Sequence, residues 1–330
     1  MATSYSRPSP TRVPITHVPL THTPLPPLDG ARKPWEGSFE QAGDVRLHVR
    51  RTKGEDGVTV VYIHGLGGSA SNWTDLAALL SPFADGVSVD LPGFGFSEPP
   101  PDFDFSLESH ARVVGDYLAG LGAGPVHLLG NSMGGAIALL VAARRPELVR
   151  TLTLVSPAMP DRRVNPNRLS DPLMVLAYLP LVGRGVRRRM AAMGARERAM
   201  QVINLCYAEP DAFTESRLDD LTEEHSARAA FKWAAPAMAR STFAIFRTWA
   251  ARGPASLWAV APTVTAPTLV VWGMRDRVIS VRRAARTTRL IPHARLLVLP
   301  RTGHVAQMER PVAVARAVLG MWESVEAGSW

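Results

Sequence analysis

One stretch constrains this chain more than any other: VHLLGNSMGGAIALLVAARRP, residues 126–146. A short apolar run with β-branched character, Val126 to Leu129, leads into Gly130-Asn131-Ser132-Met133-Gly134-Gly135. A run of helix formers, Ala136 to Ala143, follows at once. A strand that turns into a helix within so few residues forces its central residue into a strained backbone conformation. Gly130 and Gly134, lacking side chains, let the returning helix pack against the strand. The expected product is a Ser132 hydroxyl held out at the strand's end above the first helical turn, the G-x-S-x-G pattern of a nucleophile elbow. A Gly-rich turn at a helix N-terminus can also bind phosphate. That use calls for G-x-x-x-x-G-K-S/T, and no Lys is present here.

The rest of the chain supplies a sheet for such a turn. DVRLHVRR alternates apolar and basic residues as a half-buried strand does. GVTVVYI, GVSVDL, VRTLTLV, PTLVVWG and ARLLVLP read as buried strands, and SNWTDLAALL, SLESHARVVGDYLAGLG, SVRRAARTTRLI and RPVAVARAVLGMWESV read as helices. Ser106 is the expected cap of the second of these. Alternation of this kind predicts an α/β fold: a mostly parallel sheet with helices on both faces. Residues 36–157 and 263–330 form this core. Residues 158–262 hold no convincing strand and are rich in Ala, Arg, Met and Leu, so they read as an inserted helical cap. Residues 1–35, with Pro every few positions, read as an extended or disordered arm whose Val13, Ile15, Val18, Leu20 and Leu25 can pack on the core. No continuous apolar segment in the arm resembles a secretory signal.

Composition removes several functions. No apolar run approaches the roughly 18 residues of a membrane span. A single cysteine, Cys206, excludes an internal disulfide and any cysteine-based metal site, and reads as a buried packing residue. His17 and His22 are too isolated to be metal ligands. The net charge of +8, from 37 basic and 29 acidic residues, owes much to Arg184, Arg187, Arg188 and Arg189. A solvated helix face explains that cluster more simply than weak contact with an anionic membrane. No nucleic-acid motif accompanies it. No metal or organic cofactor is implied, the expected partner is a small-molecule substrate, and the expected location is the cytoplasm.

Ligands in open α/β sheets bind beyond the carboxyl ends of the strands. Ser132, Asp276 and His304 each follow a predicted strand there, and so does His64-Gly65. A serine hydroxyl needs a base; neutral His304 would take its proton, and Asp276 would fix the imidazole tautomer and stabilise the imidazolium. The backbone N–H groups of Leu66 and Met133 would face the oxyanion. Gly65, Gly67 and Gly68 let that loop approach substrate closely, and His64 supports the loop rather than reacting. Asp276 could instead pair with Arg275 or Arg277.

With these residues in place, the chain resembles the α/β-hydrolase superfamily in its cap-bearing lineage. The resemblance spans about residues 40 to 325 apart from the cap and rests on YIHGLGG, VDLPGFGFS, LLGNSMGG, LVVWGMRDRV and RTGHVAQMERP. It implies an eight-stranded, mostly parallel sheet. Its serine-based members include carboxylesterases, lipases, carbon–carbon bond hydrolases of ring-cleavage products and cofactor-free haloperoxidases or perhydrolases; some relatives are small-molecule receptors. Members with an aspartate nucleophile are excluded by Ser132. An ester hydrolase working through an acyl-enzyme is the first expectation. The carbon–carbon hydrolases add a cap arginine for a substrate carboxylate, a role open to Arg187, Arg188, Arg189 or Arg240, but Val305 stands where that lineage has an aromatic residue. Trp233, Phe243 and Phe246, with Met190, Met193 and Trp249, are the candidate acyl-pocket residues. A packing role in the cap's own core, or in its seam with the sheet, is their simpler reading.

Overall fold

The computed structural model describes residues 17–54, 57–161 and 193–330. Its eight strands form one sheet in the order β1-β2-β4-β3-β5-β6-β7-β8. β1 (Gly37–Ala42) and β2 (Val45–Thr52) form an antiparallel hairpin, and β2 also runs antiparallel to β4 (Asp85–Val89). β3 (Thr59–Ile63), β5 (Val126–Asn131), β6 (Val149–Val155), β7 (Thr268–Gly273) and β8 (Ala294–Leu299) continue the sheet in parallel. This is the eight-stranded, mostly parallel sheet expected. The sequence reading did not anticipate β1: GSFEQA is a half-exposed edge strand with no strong apolar pattern, held by pairing with β2 and by the Tyr117 hydroxyl of the helix at 107–120, which donates to Glu40.

β5 and β7 are buried along their whole length, as strands covered on both faces must be. On one face lie α2 (Leu107–Gly120) and α3 (Met133–Arg144), on the other α1 (Thr74–Leu80) and α10 (Pro311–Glu326). Ser106 caps α2 as expected, its Oγ accepting the Ser109 N–H at 3.0 Å. β4 and β5 flank β3 on opposite sides, so connections leave β3 in both directions and a crevice opens at its carboxyl end. His64 and Ser132 lie directly after β3 and β5, at that crevice.

Between β6 and β7 the described residues contain no strand. They form α4 (Ala195–Cys206), α5 (Glu215–Arg228), α6 (Ala234–Ala250) and the short α7 (Leu257–Val260). After β7 come α8 (Ala284–Leu290) and, beyond β8, α9 (Ala306–Glu309). Residues 17–25 of the arm lie along α10. The Thr21 N–H donates to Arg316 O at 3.0 Å, the Arg316 guanidinium returns a bond to Thr21 O at 3.0 Å, and a Cβ at Gly320 would stand 2.3 Å from Pro19 O. Among the described residues, no helix is long and apolar enough to cross a membrane.

Candidate active site

Ser132 has φ 54° and ψ −117°, a left-handed conformation that a side chain rarely adopts. Two glycines make room for it. A Cβ at Gly130 would stand 2.4 Å from Gly134 O, and one at Gly134 would stand 2.3 Å from Ile63 O. The turn is anchored from outside: the Ser132 N–H donates to Val155 O at 3.0 Å, and Ser132 O accepts the Ala158 N–H at 2.8 Å. Met133 opens the 12-residue α3, whose free N-terminal amides carry a partial positive charge.

Asp276 and His304 meet across the carboxyl ends of β7 and β8. His304 Nδ1 lies 2.9 Å from Asp276 Oδ2, with side chains 5% and 0% exposed. The other oxygen, Oδ1, accepts the Val278 and Ile279 N–H groups at 2.8 and 2.9 Å. Asp276 therefore faces His304 and not its neighbours; Arg277 instead donates to Asn204 O. His304 and Ser132 line one cavity of about 160 Å³. Gly65, Leu66 and Gly67 form its rim on the β3 side. Neither the Leu66 nor the Met133 N–H has an acceptor among the described residues.

His64 is fully buried. Its Nδ1 meets Gly65 O at 2.7 Å while Nε2 accepts the Leu91 N–H at 3.0 Å. Those partners require a proton on Nδ1 and none on Nε2, which defines the neutral tautomer. Burial also pushes its pKa down. The ring thereby links the loop at Gly65 to the chain at Leu91.

The pocket wall differs from expectation. Trp233, Phe243 and Phe246 do not line this cavity: Trp233 stacks on Phe231 with centroids 4.7 Å apart, and Phe243 and Phe246 face solvent, 69% and 58% exposed. Trp249 donates to Ala158 O at 2.9 Å, and Met193 meets Gln201. Arg240 lies over Phe105, 4.9 Å from its centroid, beside a separate groove. Met190, Arg184, Arg187, Arg188 and Arg189 lie outside the described residues. The apolar wall comes instead from Val202 and Ile203 of α4, Leu221 of α5, Met238 of α6, and Phe213 and Met308.

Several residues that the sequence reading passed over hold the site together. Asn131 donates to both Val155 O and His304 O, each at 3.1 Å, tying the elbow to the histidine loop. Glu309 accepts the Gly303, Ala208 and Glu209 N–H groups at 2.6, 3.1 and 3.2 Å. The His304 N–H donates to Cys206 O at 2.6 Å, so the end of α4 is bound to the same loop. On the other side Arg228 of α5 donates to Gly67 O at 3.3 Å and pairs with Glu224 at 3.2 Å; Glu224 also accepts the Ser71 hydroxyl at 2.7 Å. Asn131 and Glu309 stood inside the quoted motifs; the Glu224–Arg228 pair had only its four-residue spacing. Cys206 lines the cavity, but burial pushes its thiol up to about 12, so it is no nucleophile at neutral pH. Among the described residues, no group of His, Cys, Asp and Glu gathers that could hold a metal ion.

The profile of the α/β hydrolase fold family matches residues 58–311. The chain belongs to that family and is an enzyme of its class. It is 29% identical over 290 residues to a 2-hydroxy-6-oxo-6-phenylhexa-2,4-dienoate hydrolase of Burkholderia cepacia, covering 86% of this chain and 93% of the relative. Among solved structures it is similar to a membrane phospholipase A described as a bacterial virulence factor, with TM-score 0.71 and 27% identity over 88% of this chain and 86% of that one. The fold is also that of the dienoate hydrolase from Rhodococcus sp. strain RHA1, with TM-score 0.70 and 23% identity over 87% and 98% of the two chains.

Proposed function

We propose that this chain is a serine hydrolase that cleaves a carboxylic ester with an apolar acyl group. The observation that carries the reading is the shared cavity: Ser132 at a strained turn and the His304–Asp276 pair open onto one apolar space. In the first step Ser132 Oγ attacks the carbonyl carbon and His304 takes its proton at Nε2, while Asp276 holds Nδ1–H and stabilises the imidazolium. The oxyanion faces the Leu66 and Met133 N–H groups. Collapse expels the alcohol, which takes the proton from His304. Water then attacks the acyl-enzyme by the same route in reverse, releasing the acid and restoring Ser132.

A second reading, cleavage of a ring-cleavage diketone, draws support from the Burkholderia relative. Such a substrate carries a carboxylate that needs a cation. Arg228, the arginine among the described lining residues, is paired with Glu224, and Val305 rather than an aromatic side chain follows His304. These features favour the ester. Intact-mass labelling with a fluorophosphonate should give one adduct in the wild type and none in Ser132→Ala. Turnover of p-nitrophenyl esters from acetate to laurate, beside the phenylhexadienoate, then separates the two readings. Faster turnover of the dienoate than of every ester would overturn the first.

A further inference from the structure

A second cavity, of about 620 Å³ against 160 Å³ for the catalytic one, opens where the chain leaves α6 and shares no lining residue with it. Arg252, Arg283 and Arg286 line it together with Trp258 and Ser256, and no carboxylate is among its described lining residues. Arg283 is held by the fully buried Asp161 at 2.9 Å, which offsets one of the three charges and leaves two. Arg252 and Arg286 form no ion pair with a described carboxylate. Arg286 lies over Trp258, 4.2 Å from the ring centroid, which orients its guanidinium.

One atom makes this more than a basic surface. Arg283 Nε is buried and has no acceptor among the described residues. A buried N–H without a partner is costly, and such groups in native proteins are met by water or a ligand. Arg283 lines a cavity of small-molecule size. The wall is also firmly built. Asp161 lies three residues after Ala158, which is bonded to the elbow, and Arg283 follows the loop whose amides hold Asp276.

We propose that this cavity binds a phosphate-bearing small molecule, with the phosphoryl oxygens on the guanidiniums of Arg252, Arg283 and Arg286 and the remainder of the ligand against Trp258. Arginine forks match phosphate geometry bidentately. Two uncompensated positive charges suit a phosphate monoester, of charge about −1.5 to −2, better than a carboxylate. The volume exceeds a bare phosphate and leaves room for the group it is attached to.

Calorimetric titration of the full chain with inorganic phosphate and with glycerol phosphate, at ionic strength matched with chloride, tests this. Saturable binding is expected, tighter for the ester, with a fluorescence change absent in Trp258→Phe. The double variant Arg252→Gln/Arg286→Gln, which leaves the Arg283–Asp161 pair intact, should weaken binding by about tenfold or more without changing ester turnover. No saturable heat, or binding undiminished in the double variant, would overturn the proposal. Co-sedimentation with phosphatidylcholine vesicles containing phosphatidic acid, lost in the double variant, would assign the phosphate to a lipid headgroup; binding of the soluble esters alone would assign it to a free metabolite. Ser132→Ala should bind phosphate as the wild type does, so failure of the esterase reading and failure of this one are separate results.

Discussion

Among the described residues, two histidine–aspartate pairs have nearly the same geometry. His304 Nδ1 lies 2.9 Å from Asp276 Oδ2, and His48 Nδ1 lies 2.7 Å from Asp90 Oδ2. Both aspartates take two backbone N–H bonds besides: Val278 and Ile279 for Asp276, Ala70 and Phe96 for Asp90. The pairs differ at the far edge of the imidazole. His304 lines the cavity of Ser132. His48 sits between Phe39 and Phe96, and a Cβ at Gly37 would fall 1.8 Å from its Nε2, so strand β1 closes that edge. A histidine–carboxylate pair supplies orientation; what the free nitrogen faces decides whether it supplies chemistry. The second pair is structural. Burial alone would raise the Asp90 carboxyl, but the bond from His48, the nearby imidazoles and the Ala70 amide outweigh it and hold it below the ordinary range.

The largest effects are expected at Ser132 and Asp276. Ser132→Ala should lower kcat by roughly 10⁵ or more while far-UV spectra and unfolding midpoint stay close to wild type. Asp276→Asn should cost about 10⁴ in kcat, through the wrong imidazole tautomer in an intact fold. Asp90→Asn should do the opposite. It should lose about 3–5 kcal/mol of stability in urea titration, because a buried partner is left unmatched, yet keep the wild-type pH–rate profile in the folded fraction. A folded Asp90→Asn protein as inactive as Asp276→Asn would sink the distinction.

A smaller effect is expected at the loop that presents Leu66. Arg228→Ala removes the bond to Gly67 O but leaves the amides themselves in place. It should lower kcat by no more than about tenfold, below the 10²–10³ lost with a whole oxyanion donor, with KM for short esters unchanged.

An effect on stability alone is expected from two histidines that bond to no carboxylate. His110, packed among Phe94, Phe103 and Phe105, and His127, stacked on Trp322, are both pushed by burial down to about 3 from an ordinary value of 6.5. Their folded pKa is lowered, so between those values the unfolded chain binds more protons. Their contribution to stability is full above pH 6.5 and is lost progressively as pH falls toward 3. Each adds a slope of at most about 1.4 kcal/mol per pH unit. Urea midpoints measured between pH 7.5 and 5 should fall, and His110→Leu should flatten that dependence.

Much of this was legible because it is local. The alternation of strands and helices, the glycines around Ser132 and the chain order Ser132, Asp276, His304 are properties of short stretches. The residues of the cavity wall were not legible, for a physical reason visible in α6. Where that helix presses on the core it turns in small residues, Ala237, Ser241 and Ala244, and a Cβ at Gly93 would stand 2.7 Å from Ala237 Cβ. No phenylalanine fits that seam, so Phe243 and Phe246 turn outward. Apolarity alone pointed to them; the closeness of the two backbones, which a sequence does not carry, decided against them. Glu224 and Arg228 escaped notice for a related reason, since their partners Ser71 and Gly67 lie more than 150 positions away.

The half-buried Cys206 has a practical consequence at the bench. Its thiol is the only one in the chain, and with its pKa raised to about 12 it should stay silent toward maleimides at neutral pH. A cysteine introduced on the exposed face of α6 or beside Trp258 can therefore carry a single spectroscopic label without first altering the native sequence. Reporters for α6 and for the arginine-lined cavity are within reach of one substitution each.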